Sequence, residues 1–365
     1  MSVLVQAFEH SSADKSVKSM LGTIFSLPAL IKTYSDEKPA VPLKLNGSNI
    51  EKRRLTHLIN TLAQSSLGKE LLENAAKEGY TLGFEYMPDA YGYCARDDKT
   101  KHIALNPLCG DSSLITTLAH ESRHAMQYSR GLPFEFLQYN IATEAKMWRA
   151  AEADAEASAA FCALELRALT GKAAAWNKFS EKTPKTKKAI KKILSGSESV
   201  RQLRAKQDVI MQTAFKSWFE NTPIVDLYEK GYLYSQLSRM TRKSEKDRAE
   251  DYKKYPMNKA LTSAQIVQKY CRTAEGACYF ENDPNILDTQ QEMSGITDDT
   301  RRIADKFFQL RQKETGQAPD TSYENLPSRF RLSGLSLSEY QRNGSLSLSQ
   351  TAAMQIMRHR LRDRG

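Results

Sequence analysis

The stretch DSSLITTLAHESRHAMQYSRG, residues 111–131, decides how the centre of this chain folds. Its first three residues, Asp-Ser-Ser, carry side-chain oxygens that can cap the N-terminus of a helix. Apolar residues then follow, largely at helical spacing: Leu114, Ile115, Leu118, Ala119, Ala125 and Met126. Gly131, with a proline two residues later, ends the segment. The pattern predicts a helix over about residues 112–129.

Within this predicted helix lies an H-E-x-x-H sequence, His120-Glu121-Ser122-Arg123-His124. Histidines four apart on a helix are about 40° apart around its axis, so both imidazoles can reach one metal ion. Glu121 is placed beside them to take a proton from the attacking water. The sequence therefore predicts a zinc site with Glu121 as the catalytic base. A surface helix that merely carries two histidines is the alternative, and the apolar surroundings argue against it.

A catalytic zinc ion needs a third protein ligand and keeps one position for water, whereas a structural zinc ion usually has four protein ligands. No cysteine pair lies near the two histidines, and the next histidine is His359. The metzincin pattern is excluded, because residues 127 and 130 are Gln and Arg. The third ligand is then a carboxylate, and a second predicted helix, over about residues 141–170, carries several.

Glu152 is the predicted third ligand. Glu156 lies one turn further on the same face and could accept the outer N–H of a ligand histidine. Asp154 points about 200° away from Glu152 around the helix axis. The metal can therefore be faced either by Glu152 and Glu156 or by Asp154, but not by both. Glu144 is a weaker candidate ligand, two turns earlier. The alternative interpretation is an alanine-rich helix with a solvated acidic face.

The segment before the H-E-x-x-H helix predicts a small mixed sheet. A helix over residues 66–77 precedes predicted strands at 81–86, 91–95 and 102–106. Such a sheet could offer its edge to an extended peptide.

On these residues the chain resembles the zincin metallopeptidases, in their glutamate-ligand (gluzincin-like) branch. It is similar to small bacterial metallopeptidase families whose core reads L-N-P, then LAHE-xx-HA-x-Q, then EADA, here residues 105–107, 118–127 and 152–155. The resemblance covers about residues 66–171. It implies an α+β, zincin-like core, with Zn²⁺ held by His120, His124 and Glu152 and with Glu121 as general base.

One departure from that family pattern concerns the carboxylate behind the ligands. Many gluzincins carry Asp four residues after the ligand glutamate, whereas this chain has Glu156. The choice between Glu156 and Asp154 for that position stays open.

The reaction that such a site supports is hydrolysis of a peptide bond in a peptide or protein substrate, by water that zinc activates. The developing oxyanion needs a hydrogen-bond donor besides zinc. The sequence offers several candidates without selecting among them: Tyr91, Tyr93, Tyr128, Tyr139 and Arg123.

Composition limits the class of protein. The 365 residues are 40% hydrophobic and 26% charged, which is typical of a soluble globular protein, and no apolar run reaches membrane-spanning length. No signal peptide is evident, so we expect the chain to be cytoplasmic or exported without an N-terminal signal. The five cysteines are scattered and odd in number, which predicts reduced thiols.

We expect three regions: an N-terminal extension (1–50), the metallopeptidase core (51–171) and a mostly helical region (172–365) that is basic near 178–206. The net charge of +10 would suit nucleic acid or an acidic partner. No aromatic platform or helix-turn-helix pattern accompanies the lysines, so a solvated basic surface is favoured. A non-catalytic zinc-binding or basic interaction module is the second functional hypothesis. The arginine-rich residues 358–364 loosely resemble the tails of bacterial secretion-system substrates, which would suit an exported protease effector.

Overall fold

The computed structural model describes residues 34–87, 90–96, 100–273 and 276–329. The chain divides into two compact units, residues 1–36 and 37–365. The second unit is α+β and mostly helical in its described part. Its α-helices are α1 (Asn49–Leu62), α2 (Ser66–Lys77), α3 (Asp111–Ser129), α4 (Ile141–Thr170), α5 (Ala174–Lys182), α6 (Pro184–Ile193), α7 (Val200–Ala205), α8 (Gln207–Phe219), α9 (Thr222–Glu229), α10 (Ser235–Arg242), α11 (Glu245–Lys254), α12 (Ser263–Tyr270), α13 (Gln291–Ser294) and α14 (Asp298–Thr315). A π-helical turn covers Lys230–Tyr234, and a 3-10 turn covers Ile286–Asp288.

Four strands that precede α3 and α4 in the chain form a mixed sheet. Its strands are β1 (Lys44–Leu45), β2 (Thr81–Phe84), β3 (Gly92–Arg96) and β4 (Lys101–Leu105), in the spatial order β1-β2-β4-β3. The first three in that order are parallel, and β3 pairs antiparallel with β4 at the edge of the sheet. The three predicted strands are thus present, with ends shifted by one or two residues. Two further short strands, β5 (Ile296–Thr297) and β6 (Ser328–Arg329), pair in parallel elsewhere in the chain.

The helix α3 confirms the predicted element but not its predicted cap. Gly110 occupies the N-cap position, and no side chain caps the helix there. The carboxylate of Asp111 instead accepts a hydrogen bond from Arg54 Nε at 2.9 Å, which ties α3 to α1. At the other end, Gly131 adopts a positive φ of 85°, a conformation that ends helices and that glycine tolerates best.

The helix α4 is the central element of the fold. It spans the predicted residues 141–170, from a side-chain cap by Asn140 to Gly171 in the left-handed conformation. It packs against α3 on one side and α8 on the other, and almost its whole length is buried. Its run of alanines allows this, because small side chains let neighbouring backbones approach closely. The alternative interpretation of a solvated acidic face is therefore wrong, since Glu152 and Asp154 are only 5% and 0% exposed.

Two hydrophobic clusters hold these elements together. The larger contains Leu82 and Ile103 of the sheet together with Leu114 and Leu118 of α3. The smaller joins the start of α4 to α10 and α14 through residues such as Leu237 and Phe307. In the part of the chain that the structure describes, no helix is both long and apolar enough to cross a lipid bilayer.

A buried charge cluster fixes α9 relative to α4. Arg149 on α4 donates to Glu229 at 2.7 Å, and Arg329 on β6 donates to the same carboxylate at 2.6 Å. All three side chains are at most 2% exposed. Buried ions are stable only when paired in this way, so the cluster constrains where the π-helical turn after Glu229 lies.

The cysteine thiols and the C-terminal arginines are the last features that the sequence singles out. All five cysteines lie in the described part of the chain and none forms a disulfide, as the sequence predicts. The arginine-rich residues 358–364 lie outside the described part of the chain.

Candidate metal centre

The helix α3 brings His120 and His124 together. Their rings lie on successive turns, with centroids 4.8 Å apart and planes at 79°. Their Nε2 atoms are 3.1 Å apart, so both nitrogens are aimed at one point beside the helix. This is the arrangement that the four-residue spacing predicts.

The helix α4 adds Glu152 to this pair. Its Oε2 lies 3.4 Å from His120 Nε2 and 3.5 Å from His124 Nε2. The side chains of His120, His124 and Glu152 are 9%, 12% and 7% exposed. The three ligand atoms thus form a nearly equilateral triangle at the α3–α4 interface, and they could hold one metal ion.

The triangle has dimensions that suit three donors bound to one metal ion. Donors about 2.0–2.1 Å from a tetrahedral ion lie roughly 3.3–3.4 Å from one another. An octahedral ion at about 2.1 Å would place neighbouring donors roughly 3.0 Å apart. The two separations that involve Glu152, 3.4 and 3.5 Å, match the tetrahedral value better, whereas the 3.1 Å between the histidine nitrogens lies nearer the octahedral value. Two imidazoles and one carboxylate are also donors that suit zinc rather than calcium or magnesium.

A glutamine on α3 fixes the orientation of His124. The Nε2 of Gln127 donates to the main-chain oxygen of Ala151 at 2.8 Å and to Asp154 Oδ2 at 2.7 Å. Both of these partners only accept hydrogen bonds, so the amide oxygen of Gln127 must face His124 Nδ1, 2.8 Å away. His124 then carries its proton on Nδ1, which leaves the Nε2 lone pair for a metal.

The two carboxylates considered for the position behind the ligands lie on different sides of α4. Glu156 faces the centre, with its Oε2 3.7 Å from His120 Nδ1. Asp154 faces away from the centre, as the helical angle predicts, and it reaches His124 only through Gln127. The motif LAHE-xx-HA-x-Q ends on this glutamine, but the sequence does not indicate its role, because its partners on α4 are distant in sequence.

Asp154 has a second role that explains where Arg123 lies. Arg123 and Asp154 form a bidentate pair at 2.6 and 2.8 Å, with both side chains 0% exposed. The Tyr279 hydroxyl also donates to Asp154, at 2.8 Å. This pair locks α3 to α4 just behind the histidines, and it takes Arg123 out of consideration as an oxyanion donor.

Glu121 lies beside the histidines, next to the sheet edge. Its side chain is buried, and burial raises the pKa of its carboxyl group. The main-chain N–H of Cys94 on β3 hydrogen-bonds to it. The histidines and this bond favour the carboxylate, and they offset part of the effect of burial.

Two tyrosines from the second half of the chain complete the centre. The Tyr232 hydroxyl donates to Glu152 Oε1 at 2.8 Å, which leaves Oε2 toward the histidines. Tyr228 lies one helical turn earlier, and burial and the nearby carboxylate of Glu152 raise the pKa of its hydroxyl well above the ordinary value. Tyr232 belongs to the π-helical turn, a feature that is frequent at functional sites. In the sequence, both tyrosines stand out only as aromatic anchors of amphipathic helices.

Two of the other candidate donors, Tyr91 and Tyr93, and the weaker ligand Glu144 are engaged elsewhere. Tyr93 donates to Glu85 at 2.6 Å, and the Tyr91 ring lies under the ammonium group of Lys182. Glu144 accepts from the main chain of Tyr139 at 2.9 Å and from Trp148 at 2.7 Å. Tyr128 packs against the main hydrophobic cluster. The structure does not bring Glu144 into the group of metal-binding side chains.

The electrostatics of the centre favour a cation. Burial opposes the charged form of His120, but its contacts with Glu152 and Glu156 outweigh burial and hold its pKa well above the ordinary value. The histidines in turn hold the pKa of Glu152 far below its usual range, against the effect of burial. Without a metal, the carboxylates are thus balanced by protons on the imidazoles, and a bound cation would take the place of those protons.

The comparisons with known proteins give one match. The model of a family described as "Putative metallopeptidase family (DUF6782)" matches residues 35–280, more than half of the chain. The matched segment contains the H-E-x-x-H helix, Glu152 and both site tyrosines. The comparison with curated proteins and that with solved structures each returned no match.

Proposed function

This chain belongs to the putative metallopeptidase family, and we propose that it is a zinc-dependent peptidase with a zincin-like core. His120, His124 and Glu152 would hold the zinc ion, and Glu121 would act as general base. The observation that carries the proposal is the triangle of three ligand atoms, 3.1, 3.4 and 3.5 Å apart, with a further carboxylate, Glu121, beside it.

Zinc at this position would lower the pKa of a water molecule towards neutrality and polarise the scissile carbonyl group. Glu121 would take the proton of the attacking water and return it to the leaving amine. Its burial and its bond from the Cys94 N–H suit a group that must hold a proton in one step and release it in the next.

The remaining side chains would position these groups. Gln127 accepts from the outer nitrogen of His124, Glu156 lies 3.7 Å from that of His120, and Tyr232 donates to the second oxygen of Glu152. Tyr228 lies among the carboxylates of the centre, and we propose that its hydroxyl is the further donor that the oxyanion needs.

The sheet edge offers a place for an extended peptide. β3 pairs with β4 on one side, and in the described part of the chain no strand pairs with its other side. The Cys94 N–H points from this open side toward Glu121. A peptide added along β3 would therefore pass the carboxylate that we propose as the base.

The proposal assigns functional residues to two of the three predicted regions. The core over residues 51–171 would supply the metal ligands and the base, and the helical region over 172–365 would supply Tyr228 and Tyr232. The non-catalytic module is the competing hypothesis. Glu121 discriminates against it, because holding zinc requires no buried carboxylate at that position. Export as an effector is compatible with either function.

The test is replacement of Glu121 by Gln, which keeps the shape of the side chain and removes its basicity. We expect E121Q to retain zinc and to lose peptide hydrolysis by about 10²–10⁴-fold, the usual contribution of a general base. Hydrolysis at the wild-type rate would exclude the assigned role of Glu121. A wild-type protein that neither contains nor takes up metal would exclude the site.

A further inference from the structure

A cleft beside the metal centre contains a lysine that the proposed chemistry does not use. The cleft opens next to His120 and Glu156, between α3, α4 and α5. Thr116 and Thr117 form one wall, and Lys182, the last residue of α5, lies on another. Because His120 belongs to both the cleft and the metal centre, a group in the cleft would lie next to the reacting bond of a bound substrate.

No carboxylate lies within ion-pair distance of the Lys182 ammonium group in the described part of the chain, although the more distant charges of Glu156 and Glu181 attract it. Its Nζ lies 3.2 Å from the centre of the Tyr91 ring, and the adjacent Glu181 is paired with Lys178 at 2.6 Å. Glu156, on the same cleft, faces His120 instead. Burial lowers the pKa of Lys182 to about 8, although nearby groups, Cys109 and Glu156 among them, partly oppose this effect.

The other polar groups of the cleft cannot replace Lys182 in binding an anion. The Thr116 and Thr117 hydroxyls donate to the main-chain oxygen of Ser113, at 2.9 and 3.0 Å, so their hydrogens are used within α3. Phe179 and Ala159 add apolar surface that would contact methylene groups. The cleft thus combines one cationic head and an apolar wall with the carboxylate of Glu156, which faces His120.

We propose that Lys182 determines specificity, by binding a carboxylate that flanks the scissile peptide bond. This inference rests on the proposed peptidase function. The carboxylate could be the side chain of Asp or Glu, or the free C-terminus of the substrate. Either would give the buried ammonium the ionic partner that the fold does not supply.

The first experiment maps cleavage by the full-length, zinc-reconstituted protein. A randomised peptide library with amidated C-termini is digested, and the cut sites are identified by mass spectrometry. Enrichment of Asp or Glu at one position next to the cut identifies the side-chain source. Cleavage only of matched peptides with free C-termini, next to that terminus, identifies the terminal source. We expect a preference of about 10- to 100-fold in kcat/KM over the corresponding amide, the usual effect of a hydrogen bond to a charged group.

Variants assign the preference to Lys182. K182M should abolish it and K182R should retain it, which shows that the charge is what matters and that the position tolerates replacement. K188M is the matched control, because Lys188 is an exposed lysine on the neighbouring helix α6 and its loss changes the net charge equally. K188M should keep the preference.

A binding measurement separates this inference from the peptidase proposal. Two pairs of fluorescein-labelled peptides are titrated with zinc-loaded E121Q, and their anisotropy is measured. One pair is Ala-Ala-Ala-Glu-Ala-Ala-amide and its Gln counterpart. The other pair is Ala-Ala-Ala as the free acid and as the amide. A carboxylate peptide that binds at least about tenfold tighter than its amide, and that loses this advantage with K182M, supports the inference. It does so even if the wild type hydrolyses nothing, in which case only the peptidase proposal fails. Equal binding and equal cleavage of all acid and amide pairs, or a preference that survives K182M, would overturn the inference while leaving the peptidase proposal intact.

Discussion

Replacement of Gln127 by Met should weaken zinc binding without unfolding the protein. Methionine is unbranched, similar in size and suited to a buried position, so the packing of α3 against α4 is kept. The substitution removes the oxygen that accepts from His124 Nδ1 at 2.8 Å and thereby releases the ring orientation. Asp154 keeps its bonds from Arg123 and Tyr279. Loss of such a partner of a ligand histidine costs about 10- to 100-fold in metal affinity, or roughly 1.4–2.8 kcal/mol.

The assay is competition for zinc between the metal-free protein and a chromophoric chelator, with circular dichroism of the metal-free state to check folding. Ser122→Ala is the matched control, because Ser122 is 0% exposed on the same helix and its hydroxyl has no hydrogen-bond partner in the described structure. The control should bind zinc as the wild type does. A folded Q127M protein with wild-type zinc affinity would refute the role that we assign to Gln127, and an equal loss in the control would show that any change in α3 has this effect.

Three further outcomes depend on particular contacts. Asp154→Ala leaves the buried Arg123 without its partner, so the free energy of unfolding in urea should fall by about 3–5 kcal/mol, and a change near zero would contradict the buried pair. Tyr232→Phe removes the hydroxyl that donates to Glu152, and zinc affinity should fall about tenfold in the chelator assay, with unchanged affinity counting against it. Burial raises the pKa of Glu144 to about 7, so the folded state keeps a proton that the unfolded state has already lost, and stability falls as pH rises from about 4.5 to 7. Glu144→Gln should therefore gain roughly 3 kcal/mol relative to wild type between about pH 5 and pH 8 in denaturant titrations, whereas parallel curves would show that Glu144 has an ordinary pKa.

Local signals in the sequence predicted the two helices that form the candidate centre. Capping residues and a left-handed glycine mark the ends of α4, and the periodic apolar residues mark α3, so both appear where expected. Helical geometry alone places His120 and His124 side by side. Glu152 was the predicted third ligand, and the structure brings this residue to the histidines.

Contacts between distant residues explain what the sequence did not show. Gln127 acquires its function from Ala151 and Asp154, which are 24 and 27 positions away on another helix. Tyr232 meets Glu152 across 80 positions, through a π-helical turn that no local pattern predicts. Arg123 was a candidate oxyanion donor because its charge is visible in the sequence, whereas its burial beside Asp154 is not.

Zinc-edge anomalous diffraction from crystals of the zinc-reconstituted full-length chain tests the central claim most directly. We predict one anomalous peak between α3 and α4, at about 2.0–2.2 Å from the Nε2 atoms of His120 and His124 and from one carboxylate oxygen of Glu152. No peak at that position, or a zinc ion bound by other side chains, would contradict the claim.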